Sequence, residues 1–346
     1  MINKTEEDIT KSWNKDYESP LVTIRCLAFN QRNYIRKALD SFLMQITSFP
    51  FEILVHDDCS TDGTDEIIKE YERRYPSIIR AIYESENQYS RHDGSLLKAV
   101  DPSIRGVYLA ICEGDDYWID PKKLQTQIDY MEMHKDYSMV FCSAVYVNDN
   151  RYVYSDKKTT YDRDYSTDDI IRGGGEFCAS PSLCIRKTAY DNPYAFQKHA
   201  YVGDYPLQIA MSLKGKVHYH HKNMVAYREP EGNNGSITSQ SFANSNKLIS
   251  QITNEISWLS ELDELTGGKY HNSILYRQMI CRSDLLDLGV LSKSEIREER
   301  RHLSVVDSLR IKKLTLERKA RKTMKNRMPK LRSGIRKVRN IFLQRD

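Results

Sequence analysis

Two runs of acids stand where apolar runs end. Phe51–Val55 passes directly into His56, Asp57, Asp58, Cys59, Ser60, Thr61, Asp62, Gly63 and Thr64, and Gly106–Cys112 passes into Glu113, Gly114, Asp115, Asp116, Tyr117 and Trp118. If the apolar runs are strands of an open α/β sheet, both acidic runs lie at its carboxyl edge, where such sheets bind ligands, and they share one crevice. Carboxylates packed together raise one another's pKa unless a cation is supplied, and hard divalent ions prefer oxygen donors. A Mg²⁺ or Mn²⁺ ion holding a diphosphate suits this chemistry. Asp, Ser, Thr and Gly are also what any turn into a helix uses. One such run alone reads as turn chemistry; two at successive strand ends favour a shared ligand.

Other chemistries lack their motifs. Asp58, Ser60, Asp62 and Gly63 imitate the start of an EF-hand loop, but its twelfth position is Lys69 where calcium needs a glutamate. There is no GxxxxGK[ST], no strand-linked GxGxxG and no GxSxG, so P-loop, dinucleotide and most serine-hydrolase chemistries fall away. His218, His220 and His221 offer metal ligands, but their alternation with Val217 and Tyr219 suggests one face of a strand.

The elements that must position these residues are legible in the apolar periodicity. Leu21–Phe29 is a β-rich run, and Tyr34, Ile35, Ala38, Leu39, Phe42, Leu43 and Ile46 form one stripe of an amphipathic helix. Phe51–Val55, Ile78–Tyr83, Gly106–Cys112 and Ser138–Val147 are further strands, with helices on Ile67, Ile68 and Tyr71 and on Leu124, Ile128 and Met131. Asp120 is placed to cap the latter helix, with Pro121 in its first turn. Strands alternating with helices predict a mostly parallel sheet covered on both faces. From Tyr152 to Ser236 the pattern is irregular, as in substrate loops, and from about Phe242 it is helical. The 346 residues, 40% hydrophobic and 29% charged, suit a soluble chain of roughly two domains, or one large α/β domain with an appendage.

Four segments, LVTIRCLAFNQRNYIRKALDSFLMQ, EILVHDDCSTDGT, GVYLAICEGDDYW followed by DPKKLQTQIDYM, and VGDYPL, occur in that order. Together they resemble glycosyltransferase family 2 over roughly residues 20–235. The resemblance implies the α/β GT-A fold, a Rossmann-like, mostly parallel sheet flanked by helices, here with an α-helical C-terminal extension. It implies inverting transfer of a sugar from a nucleotide diphosphate sugar to a hydroxyl, with Mg²⁺ or Mn²⁺ as cofactor. By the same resemblance Asp58 recognises the nucleotide base beside Phe29 and Asn30, and Asp115 lies near the ribose or sugar. Asp116 ligates the metal, and Asp204 is the catalytic base. Arg228 falls in the segment Tyr227 to Thr238, which relatives place over the donor phosphates. The expected organisation is a polar segment at 1–19 and a GT-A domain at 20–240. The domain divides into a nucleotide-sugar half at 20–118 and an acceptor half at 119–240. A helical extension at 241–308 and a basic tail at 309–346 follow. A sugar nucleotidyltransferase would want a Gly-rich, basic phosphate loop near the first strand, which is not seen; an inactive binding protein would not need all four of Asp58, Asp115, Asp116 and Asp204.

The net charge of +4 hides an asymmetry: from Leu309 onward there are 15 Lys+Arg against two acids, whereas the preceding 308 residues carry 37 Lys+Arg and 46 Asp+Glu. After Pro329, Leu331, Ile335, Val338, Ile341 and Phe342 recur at helical spacing among Arg332, Arg336, Lys337 and Arg339. Such a basic amphipathic helix suits an anionic membrane surface. A solvated or oligomer-packing helix is the other reading, and no nucleic-acid partner is expected because Phe342 is the tail's only aromatic. Seven cysteines with no CxxC pair suggest reduced, mostly buried thiols. With neither a secretory signal nor a membrane-length apolar run, the expected location is cytoplasmic, peripheral on the inner face of the plasma membrane, with a glycan or lipid-linked acceptor as the second partner.

Overall fold

The computed structural model describes residues 3–91, 93–148, 151–229, 245–313 and 316. The basic helix after Pro329 and most of the Tyr227–Thr238 segment lie outside them. Strands β1 (Val22–Ala28), β2 (Phe51–Asp57), β3 (Ile79–Tyr83) and β4 (Tyr108–Ile111) alternate with helices α1 (Glu6–Thr10), α2 (Ile35–Leu43), α3 (Thr64–Arg74) and α4 (Ser95–Val100). Then come β5 (Tyr117–Trp118), α5 (Lys123–Met133), β6 (Tyr137–Asn148), β7 (Arg151–Ser155), β8 (Arg163–Tyr165), α6 (Thr167–Gly173), β9 (Cys184–Arg186), α7 (Lys187–Tyr190), α8 (Ala195–His199), α9 (Asp204–Lys214) and β10 (Lys216–Arg228). Helices α10 (Ser245–Leu265), α11 (His271–Asp287) and α12 (Lys293–Glu299) follow.

The strands form one sheet in the order β3-β2-β1-β4-β9-β6-β10-β5, with β7 on β6 and β8 on β10. One half, β3 to β4, is parallel throughout, and β6 runs parallel to β10. The short strand β9 lies antiparallel between β4 and β6 and joins the two parallel parts. Every residue of β2 is buried, as a strand covered on both faces requires. Ile53 and Val55 pack with α2 and α3 on one side, while Leu54 packs on the other with α9 and with Trp258, Leu259, Leu262 and Ile274 of α10 and α11. The helical extension therefore shares the core of the sheet. All seven cysteines are free and all but Cys59 are buried. Among the described residues no helix is long and apolar enough to cross a membrane.

Two local expectations change. Asp120 does not cap α5: its Oδ1 accepts the Lys122 N–H at 2.9 Å in the turn before the helix, whose N-cap position is Lys122. The segment from Tyr152 to Ser236 also holds far more regular structure than its sequence suggests. β10 alone has 13 residues, with histidines and a lysine where a strand signal needs clean alternation.

A buried charge fixes the register of the parallel half. Glu52 in β2 is 1% exposed, accepts Thr23 Oγ1 from β1 at 2.6 Å, and pairs with Arg80 at 3.0 Å and with Arg105. Burial works against this carboxylate's charge, but hydrogen bonds from Arg105 and Thr23 and the nearby Arg80 outweigh it and hold the pKa below the ordinary glutamate range. The stabilisation is therefore present above the unfolded pKa and is lost as pH falls through the lowered folded value. Glu52→Gln is expected to cost about 2 kcal/mol at neutral pH, a gap that closes between about pH 5 and pH 3. Urea unfolding of both proteins across that range checks this; a gap independent of pH contradicts it.

Candidate active site

The ends of β1, β2, β4 and β10 meet at the carboxyl edge of the sheet. Along β1 and β2 the register pairs Ala28 with Asp57, so the chain leaves both strands side by side. Asn30, at φ +51°, accepts the Thr61 N–H at 2.8 Å, and its own N–H donates to Ser60 Oγ at 2.9 Å. Asp57 accepts Ser60 N–H and Asp62 accepts Thr64 N–H and Arg32 N–H. These two acids are turn formers, and the turn ends at Gly63, whose φ of +89° opens α3. The turn leaves Phe29 exposed at the mouth.

Asp58 points another way. It is 3% exposed, and its two oxygens accept the main-chain N–H groups of Gln88 at 2.6 Å and Tyr89 at 2.9 Å. Asp58 thus holds the 87–89 segment against the end of β2, and the Tyr89 phenol feels the charge of Asp204.

After β4 the chain turns tightly through Gly114, whose N–H donates to Leu27 O at 3.0 Å. A Cβ at Gly114 would lie 2.3 Å from Gln31 Oε1 and 2.9 Å from Ile35 Cδ1, so any larger residue there would have to push these two side chains aside. Asp116 is buried and accepts the Arg228 N–H at 2.7 Å, while Arg228 Nε donates to Asp115 O at 2.9 Å. The guanidinium lies over Tyr34, 4.3 Å from its ring centre. Arg228, expected over the donor phosphates, is thus the clamp that joins β10 to the acidic turn. Trp118 is core: it is buried, donates Nε1–H to Pro181 O at 3.0 Å and packs edge-on to Phe42.

Two contributors were missed from sequence. Arg25, in the middle of β1, is 5% exposed; its Nη1 donates to Tyr190 OH at 3.0 Å and lies 3.6 Å from Asp101. Glu113 accepts Leu27 N–H at 3.1 Å, and burial pushes its pKa up to about 8, with Arg25 opposing and Asp204 and Asp115 adding to the rise. The available signal was an arginine inside the apolar run LVTIRCLAF, since a charge buried in a covered strand demands partners.

Asp204 opens α9, where the helix N-terminus favours an anion. Its carboxyl keeps access to solvent while protein mass encloses it. That enclosure raises its pKa, and Arg25 opposes the rise. Burial together with Asp115 raises Asp116 far above the ordinary range, and burial raises Asp115. The buried Tyr227 phenol feels Asp116, Asp204 and Asp115 together. The structure therefore sets Glu113, Asp115, Asp116 and Asp204 in one electrostatic field with Arg25 and Arg228, and ties the Asp58 carboxylate to the main chain of Gln88 and Tyr89. Four carboxyls face two guanidiniums, and all the donors on offer are oxygens. This set fits a hard divalent cation, whose charge would restore the carboxylate form that burial disfavours. Asp116 is the residue that would hold it.

The sequence model of "Glycosyl transferase family 2" matches residues 26–192. The uncharacterized protein Rv1520 of Mycobacterium tuberculosis is 34% identical over 215 residues, 60% of this chain and 58% of that protein. The Escherichia coli protein WfaP, a UDP-Glc:alpha-D-GlcNAc-diphosphoundecaprenol beta-1,3-glucosyltransferase, is 31% identical over 115 residues, 33% of this chain and 43% of its own length. The chain thus spans less than two thirds of these curated relatives. Among solved structures, residues 1–349 of Staphylococcus aureus TarS superpose with a TM-score of 0.55 at 18% identity, covering 79% of this chain and 76% of that one. That likeness shows the GT-A fold, and the matched segment runs from the end of β1 through β2, β4 and the acidic turn, so residues 26–192 form a glycosyltransferase family 2 domain.

Proposed function

We propose that this chain transfers a sugar, with inversion at the anomeric carbon, from a UDP-sugar to a hydroxyl of a glycan or lipid-linked acceptor, in the assembly of a bacterial surface polysaccharide. The observation that carries the reading is the placement of Asp204 at a helix N-terminus, in one electrostatic field with Asp115 and the buried Asp116 and with Arg25 in reach. The similarity to WfaP, which takes UDP-Glc and a diphosphoundecaprenol-linked acceptor, supports the UDP donor and the lipid-linked acceptor. A bound Mg²⁺ or Mn²⁺ would supply Lewis-acid neutralisation of the leaving diphosphate.

The chain's own residues do the rest. Asp115 faces the ribose or sugar, and Phe29 and Asn30 stand at the mouth where the base enters. Asp58 shapes that mouth through the 87–89 segment. Asp204 accepts the proton of the acceptor hydroxyl as its oxygen bonds to the anomeric carbon and the bond to the diphosphate oxygen breaks. A carboxylate with a raised pKa is the stronger base for this step. The basic tail from Leu309 brings the enzyme to the anionic cytoplasmic face where lipid-linked acceptors reside.

Asp204→Asn is expected to lower kcat by at least about 100-fold while leaving UDP affinity within about threefold, because the amide keeps the shape and loses the base. Turnover with UDP-sugar and calorimetric UDP binding check this, and unchanged transfer refutes the assignment. Arg25 stabilises the Asp204 carboxylate, so Arg25→Gln raises the Asp204 pKa further. The acid limb of the kcat/KM profile then moves to higher pH, whereas a fixed limb in a folded variant removes Arg25 from the mechanism.

A further inference from the structure

A second constellation lies at the start of β10. Ten residues separate His218 from Arg228, which at ~3.3 Å per residue places it on the order of 30 Å from the acidic turn. β8 runs antiparallel along this part of β10, pairing His218 with Asp164 and Tyr219 with Arg163. His218 and His220, two apart in a strand, share one face, and each is 6% exposed. The exposed Asp162 completes the group: one donor atom from each of Asp162, His218 and His220 lies within 4.8 Å of the other two.

Both rings are held on one edge. His218 Nδ1 lies 2.7 Å from Asp164, which also accepts the Tyr137 hydroxyl at 2.6 Å, and His220 Nδ1 lies 2.9 Å from Asp162. Tyr130 stacks on His218 at 3.8 Å, and the two imidazole centroids are 4.9 Å apart. The other nitrogen of each ring, Nε2, is buried with no hydrogen-bond partner among the described residues. One buried polar atom left unpaired costs about 1–3 kcal/mol, and the unpaired Nε2 of His218 calls for a ligand that accepts its lone pair. Asp164 holding the Nδ1–H of His218 is how proteins orient an imidazole ligand for a metal, while His220 presents its Nδ1 beside Asp162, where one ion can take both donors.

We propose that Asp162, His218 and His220 form a transition-metal site of Zn²⁺ type, with water completing the coordination. Two imidazoles and one carboxylate suit Zn²⁺ and its neighbours, whereas Mg²⁺ and Ca²⁺ want oxygen alone. The ion would fasten the segment before β8 to the sheet, a structural role independent of the transferase reading.

Co²⁺ serves as the probe, because four-coordinate Co²⁺ has strong visible bands. The tag-free full-length chain, stripped with a chelator and titrated with Co²⁺, is expected to bind about one equivalent with such bands, which Zn²⁺ bleaches. Asp116→Asn keeps them. The His218→Gln/His220→Gln double variant loses them. Asp162→Asn, at an exposed position that folding tolerates, weakens Co²⁺ at least about tenfold. Absence of a saturable band in the wild type, or full Co²⁺ affinity in either site variant, would overturn the proposal and leave a hydrogen-bonded ribbon only.

Discussion

The constraint on which the site depends is the grouping of Glu113, Asp115, the buried Asp116 and the solvent-accessible Asp204 in one field with Arg25 and Arg228. In water such acids would ionise independently. Here the surrounding protein raises them together, and a cation that entered would restore their charge. The fold maintains this costly arrangement by locking each contributor to a different strand end. Arg228 joins β10 to the acidic turn, Glu113 joins that turn to Leu27 of β1, and Asn30 joins β1 to the turn after β2.

That interlocking explains why distant parts of the chain serve one crevice. Asp204 comes from α9, far along the chain, yet shares its field with Arg25 of β1. The sheet carries this coupling because β9 bridges β4 and β6, bringing the parallel half and the β6–β10 half together. Helices α10 and α11 cover the same face as α9 and brace it from behind. A loosened brace would move Asp204 relative to Asp115 without touching either. The His218–His220 ribbon occupies the other end of β10, where imidazole donors replace oxygens, so the two ends of one strand suit different ions.

Much of this was legible in the residues. Apolar runs that end in acids identified β2 and β4, and the helical stripe of Tyr34 to Ile46 identified α2, because covered parallel strands and amphipathic helices have strong periodic signals. Asp115, Asp116 and Asp204 were singled out by the acidic turn and the family resemblance, and in the structure all three act electrostatically on Tyr227. Of β10 only the start, Val217 to His221, was read as a strand, because its later polar residues are satisfied by tertiary partners such as Asp116 for Arg228. Asp58 showed its position but not its direction, since partners in the 87–89 segment come from loop geometry that no periodicity encodes. Arg25 and Glu113 act through contacts across strands, which appear only once the register is known.

The central claim is that the enclosed carboxyls await a divalent cation that binds together with a nucleoside diphosphate. The most direct test is calorimetric titration of UDP into the wild-type chain and Asp116→Asn, each with and without Mn²⁺. Mn²⁺ should tighten UDP binding at least about tenfold, roughly 1.4 kcal/mol, in the wild type and leave the variant unchanged. UDP affinity indifferent to Mn²⁺, or equally enhanced when Asp116 is neutralised, would contradict the account.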